Sequence, residues 1–161
     1  MPKIDLDTLK WRTGSGYPGK LGQMFDGRSQ TALGDPHGLT QFGVNLVRLA
    51  PGAMSSLRHW HMQQDEFAIV TEGECTLVDD HGEHVLQVGD CAAFPAGDAN
   101  GHHLINKTDA PATFLVVGSR TETETAFYSD LDMMVTDEGN GFAFTRQNGS
   151  PLTAKEIGDD Q

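Results

Sequence analysis

The 161-residue sequence predicts an all-β fold, an antiparallel barrel or sandwich, on two observations. Nineteen glycines and seven prolines supply frequent tight turns. Short apolar runs also recur at intervals of roughly 8–12 residues, with no convincing helix between them. Hydrophobic residues make up 37% and aromatic residues only 7%, so the interior should rest on Leu, Val, Ile and Ala.

The runs concentrate between Val44 and Ser119. Val44-Asn45-Leu46-Val47-Arg48-Leu49 alternates and is stopped by Pro51-Gly52. Glu66 to Val70 ends at Glu72-Gly73, and Cys75 to Val78 leads through Asp79-Asp80-His81-Gly82 into Glu83 to Val88, a hairpin pattern. After Gly89-Asp90, a run from Cys91 to Phe94 stops at Pro95; His102 to Asn106 and Thr113 to Val117 complete the set. The expected organisation is one domain over residues 1–161, with its barrel core at 43–119. Residues 1–42, rich in Gly and polar side chains, read as an extended N-terminal arm, and Gly14 to Gly19 as turns and not a phosphate loop. Residues 120–161 read as a polar, acidic C-terminal tail, with Phe127-Tyr128 and Met133-Met134-Val135 as candidate anchors.

Eleven Lys and Arg face twenty-three Asp and Glu, for a formal net charge of −12. That field repels a phosphate backbone and an anionic membrane surface, so neither nucleic acid nor membrane is an expected partner. A small anionic substrate stays open, because a local metal outweighs distant surface charge. The N-terminus carries acids where a signal peptide needs an apolar stretch. Cys75 and Cys91 form no Cys-x-x-Cys pair. A cytoplasmic protein with two free thiols, both acting as small buried residues, is the expected reading.

Chemistry concentrates in four residues. His59 and His61 flank Trp60, and residues two apart on a strand point to one face. Glu66 opens the next strand beyond Met62-Gln63-Gln64-Asp65, and His102 begins a later one. Three imidazoles and a carboxylate suit a divalent transition ion (Fe, Mn, Ni, Co, Cu or Zn) and not a Ca or Mg cage. A single histidine on a half-buried strand is more often structural, so the argument rests on the combination. Arg58 and Trp60 should face away from the site by alternation. Phe94, Leu104, Phe114 and Val116 read as barrel filling, while Tyr128 and Asp98 are candidates to approach the mouth.

Gly52, six residues, His59-x-His61, four residues, Glu66, six residues and Gly73 resemble the first motif of the cupin superfamily. Gly89, five residues, Pro95-x-Gly97, then His102 and Asn106 resemble the second, with two extra residues before the histidine. Both His102 and His103 fall near that motif's ligand position, and the spacing to Asn106 favours His102. The run from Gly97 to Asn106 resembles a group of single-domain bacterial cupins without an assigned reaction. The resemblance implies a double-stranded β-helix, or jelly-roll, barrel and a homodimer, in which the arm is a plausible swapped strand over a sheet edge.

Four protein ligands leave one or two positions open on a five- or six-coordinate ion, unlike a closed structural zinc site. Three functions fit such a centre. One is Lewis-acid chemistry on a small oxygenated acid or sugar, the second is an Fe(II)/O2 reaction, and the third is non-enzymatic binding of a small molecule.

Overall fold

The computed structural model describes residues 3–139 and 141–159. Met1, Pro2, Asn140, Asp160 and Gln161, which belong to the expected arm and tail, lie outside the described residues. In chain order the strands are β1 (Arg12–Thr13), β2 (Arg28–Ala32), β3 (Phe42–Leu49), β4 (His59–His61), β5 (Glu66–Glu72), β6 (Glu74–Asp79), β7 (Gly82–Gln87), β8 (Cys91–Phe94), β9 (His103–Ile105), β10 (Ala112–Ser119), β11 (Glu124–Tyr128), β12 (Met133–Asp137) and β13 (Phe142–Thr145). The only helical pieces among the described residues are 3₁₀ turns at Leu6–Thr8, Gly19–Phe25 and Asp35–His37. The all-β expectation therefore holds, with strands extending one or two residues past most of the runs.

All pairings are antiparallel. One sheet runs β1-β2-β3-β10-β5-β8, a second β13-β12-β11-β4, and a third β7-β6-β9. An isolated bridge joins the last two: His59 N–H donates to His102 O over 3.1 Å, and His102 N–H donates to His59 O over 2.9 Å. The molecule is thus a jelly-roll of two facing layers, with this bridge as the seam of the smaller-sheet layer. Two-residue alternation fills the space between the layers. Val47 and Leu49 on β3, Ala68 and Val70 on β5, Ala112 and Phe114 on β10, and Leu104 on β9 form the buried core with Cys75.

Both terminal segments are built into the sheets. β1 and β2 extend the six-stranded sheet along β3, with Gln30 opposite Val47 and Arg28 opposite Leu49. The arm lies on its own chain's sheet. The expected anchors of the C-terminal segment are strand residues: β11 pairs with β4, setting Tyr128 against His59 and Ala126 against His61. Tyr128 and Met133 are buried. One expectation is corrected: Cys75 is fully buried, but Cys91 lies exposed on edge strand β8. The run Cys91-Ala92-Ala93-Phe94 has no polar alternation to show which way its cysteine points.

Asn106, just past β9, ties the end of that strand to its neighbours. Its side chain is fully buried, donates to Leu49 O and Ala110 O over 3.0 and 2.8 Å, and accepts from the Thr108 backbone and hydroxyl. Removing it takes a side-chain donor from the buried Leu49 carbonyl and breaks the contacts that hold Thr108 and Ala110. Asn106→Ala should lower the unfolding free energy by about 2–4 kcal/mol, as measured by urea denaturation.

Candidate metal centre and its cavity

The site is assembled by strand geometry. His59 and His61 lie two apart on β4, so both point to the interior while Trp60 points out and stacks on Phe127, with ring centroids 4.8 Å apart. His102 exchanges both backbone hydrogen bonds with His59. Directly opposed antiparallel residues share a face, so the His102 imidazole projects beside that of His59. Glu66 is the first residue of β5 in the facing sheet, where its neighbours across the ladder are Gly118 and Phe94. Gly118 has no side chain to fill the space beside the carboxylate.

The side chains converge. His59 Nε2 lies 3.2 Å from His61 Nε2, and His102 Nε2 lies 2.9 Å from Glu66 Oε2. One ligand atom each from His59, His61 and Glu66 falls within 4.8 Å of the other two, so this trio could hold a metal ion. His102, nearly fully buried, joins the trio through the Glu66 carboxylate. His103 turns the other way and its Nδ1 meets Ser56 O at 3.0 Å, so of the two adjacent histidines only His102 faces the cluster.

The surroundings fix these rings. His59 Nδ1 donates to Leu57 O over 2.9 Å, leaving Nε2 with its lone pair toward the cluster. Phe94 lies parallel to His102, the planes 3° apart and the centroids 3.4 Å apart. Phe94 is therefore more than barrel filling, because it sets the orientation of a site histidine. His61 Nδ1 is buried without a hydrogen bond, 3.8 Å from Glu124 Oε1. Arg58 points outward, as expected, and pairs with Asp80 and Asp130 over 2.7 and 2.9 Å.

Burial, reinforced by His61, pushes the His59 pKa down to about 4. Burial opposes the Glu66 charge, but the hydrogen bond from His102 and the neighbouring imidazoles outweigh it and hold the carboxyl at about 2. Near neutrality the cluster therefore offers a neutral imidazole and an ionised carboxylate, the forms that coordinate metals.

The cluster faces a cavity of about 410 Å³, walled by Val47, Ala68, Leu104, Phe114 and Val116 among others. An outer chamber of about 610 Å³ shares Tyr17, Arg28, Gln30, Ser55, Ser56 and Phe142 with it. Tyr128 lines the outer chamber, its ring centroid 6.1 Å from that of His59. Asp98 borders only a small recess behind His61 and His102. Sequence reading missed Arg28, Gln30 and Glu124. The first two sit at an i, i+2 spacing on a short polar strand, a signal too weak to single them out.

A family model of the cupin domain matches residues 45–118. Over nearly its whole length the chain is similar to a sugar phosphate isomerase of the cupin superfamily from Silicibacter pomeroyi. The two share 68% identity over 97% of this chain and 99% of that chain, with a TM-score of 0.95. The chain belongs to the cupin superfamily. A putative sugar phosphate isomerase from Acidithiobacillus ferrooxidans shares the fold at 23% identity, 81% and 84% coverage and a TM-score of 0.70. A polyketide cyclase from Streptomyces resistomycificus does so at 20% identity, 74% and 79% coverage and a TM-score of 0.58. No curated protein matches the sequence. This cupin's barrel is thus shared with proteins named for different chemistries, and the reaction must be argued from the site.

The shifts carry a pH dependence in the metal-free protein. Both groups have folded pKa values below their ordinary ones, 6.5 for the imidazole and 4.5 for the carboxyl. The unfolded chain therefore binds more protons on acidification, and stability falls with pH. The His59 contribution is lost between pH 6.5 and about 4, and that of Glu66 between 4.5 and about 2. Thermal unfolding of chelator-treated protein should show a melting temperature that drops from pH 6.5 downward, and His59→Gln should flatten the upper part of that drop.

Proposed function

We propose that this cupin is a metal-dependent enzyme acting on a small oxygenated metabolite, a hydroxylated acid or sugar, by Lewis-acid-assisted isomerisation. The observation that carries the reading is the convergence of His59, His61 and Glu66 at one end of a cavity large enough for a metabolite. In this reading His59, His61, Glu66 and His102 hold one divalent transition ion. The donor set supports the fit: two Nε2 atoms lie 3.2 Å apart with the Glu66 carboxylate inside the same cluster, a mix of imidazole and carboxylate donors that suits a divalent transition ion. When bound, such an ion polarises a substrate hydroxyl or carbonyl oxygen and acidifies the adjacent proton.

The chain's own groups supply the rest. The apolar walls around Phe114 and Val116 exclude water from the reacting end, which strengthens every charge interaction there. The Leu57 carbonyl and the Phe94 ring hold His59 and His102 in fixed orientations. Burial, with Tyr17 beside it, raises the Tyr128 pKa above the ordinary phenol value. Its hydroxyl therefore stays protonated where the residue lines the outer chamber. The sugar phosphate isomerase from Silicibacter pomeroyi, 68% identical, supports isomerisation over the other cupin chemistries.

Metal analysis of protein purified without an affinity tag should find about one equivalent of ion, in line with a single donor set. His61→Ala and His102→Ala should weaken metal binding by about tenfold or more, Glu66→Gln by less because an oxygen donor remains, and His81→Ala not at all. Full metal content in all four variants would overturn the assignment. Oxygen electrode measurements on anaerobically Fe(II)-loaded protein with hydroxy acids and sugars should show no substrate-dependent uptake; uptake would transfer the site to oxygenase chemistry.

A further inference from the structure

The cavity holds a cation that the metal cluster does not use. Arg28, on β2, lines both chambers, and Arg12, on β1, lines the outer one. Among the described residues Glu66 is the single carboxylate lining either chamber, in a chain whose net charge is −12. Four cations on the outer surface meet carboxylates: Arg58 with Asp80 and Asp130, Lys107 with Glu83, Arg120 with Asp35, and Arg146 with Glu156. Among the described residues, Arg28 forms no such pair.

Its environment is polar but neutral. One Nη donates to Gly14 O over 3.0 Å and the other to Gln30 Oε1 over 2.5 Å, while Nε is buried without a partner. These bonds tether the arm, which Gly14 N–H reinforces by donating to Arg28 O over 2.8 Å. A neutral donor would serve that tether as well, so the tether does not account for a guanidinium there. Burial lowers the Arg28 pKa, Tyr17 opposes that shift, and Arg12 adds to it. A half-buried charge without a counterion is costly to keep. A planar guanidinium is also the side chain best shaped to grip phosphate or carboxylate oxygens in a fork.

We propose that Arg28, with Arg12 at the outer rim, is the docking point for an anionic head group, a phosphate or a carboxylate, on the molecule that enters this cavity. The inference deepens the functional reading above and rests on it for the far end of that molecule: the head group sits at Arg28 and the hydroxylated end extends toward His59, His61 and Glu66. The acidic exterior then contributes selectivity, because a large polyanion is repelled while a small one can enter and meet the Arg28 guanidinium.

The probes are inorganic phosphate and succinate, titrated calorimetrically into the full-length chain before and after chelator treatment, with metal content measured on each sample. After chelation at least one probe should bind wild-type protein, and Arg28→Met should weaken it by about tenfold or more. Arg28→Lys, which keeps the charge and loses the fork, should fall between the two. His81→Ala, on the exposed turn outside the cavity, should leave binding to the chelated protein unchanged. The tighter of the two probes identifies the head group as phosphate or carboxylate. Failure of both probes to bind chelated wild-type protein, or equal binding by Arg28→Met and wild type, overturns the proposal. Arg28-dependent anion binding in a protein that never carries metal would support the anion site and reject the metal reading alone.

Discussion

Two backbone hydrogen bonds between His59 and His102 hold the chemistry of this molecule in place. They close the seam between the two smaller sheets and put two imidazoles on the same side of the same rung. Once that rung is fixed, alternation places His61 on the interior face, and Ala126 opposite it across the β4–β11 ladder leaves room for the ring. Glu66 arrives from the facing sheet, where Gly118 clears its path. A one-residue slip of β4 would send both histidines outward and bring Trp60 in, so register and site are a single constraint. The stacked Trp60 and Phe127 on the outer face and the Arg58 ion pairs beside them both oppose that slip.

The inside and outside of the barrel obey different electrostatic rules. The exterior is strongly acidic, and four of its cations, Arg58, Lys107, Arg120 and Arg146, are paired with carboxylates. Among the described residues, the cavity combines one carboxylate and three imidazoles at one end with an arginine that forms no ion pair toward the mouth. The lining between them is mostly apolar. Such a chamber is polarised along its length, which favours a short molecule with a different functional group at each end. Hydrogen bonding at Leu57 and stacking on Phe94 keep the histidine rings from rotating into alternative pairs.

Much of this was legible in the sequence where side-chain period and burial coincide. The runs of β3 and β5 alternate between more and less buried positions around Val47-Arg48-Leu49 and Ala68-Ile69-Val70, those of β6 and β10 are continuous apolar stretches, and the strands match all four closely. His59, His61 and Glu66 were legible because their spacing has meaning only on strands. His102 needed the bridge to separate it from His103, since adjacent residues point to opposite faces and spacing alone does not say which face is inside. The arm and the C-terminal segment were harder. β2 turns Arg28 and Gln30 inward, so its pattern is polar toward the cavity, the reverse of a core strand. On β11 the inward residues include Ala126, too small to produce a hydrophobic signal, and strand content there comes from pairing with β4. Cys91 illustrates the same limit at an edge.

The central claim is that side chains from three separate strand segments meet at one point to grip an ion. Anomalous diffraction from crystals of the metal-loaded protein, collected at the absorption edge of the ion found by elemental analysis, tests this directly. The account predicts one peak inside the barrel, about 2.0–2.2 Å from the Nε2 atoms of His59, His61 and His102 and from a Glu66 oxygen. A peak anywhere else on the molecule, or a fully loaded crystal with no peak between these four residues, would contradict it.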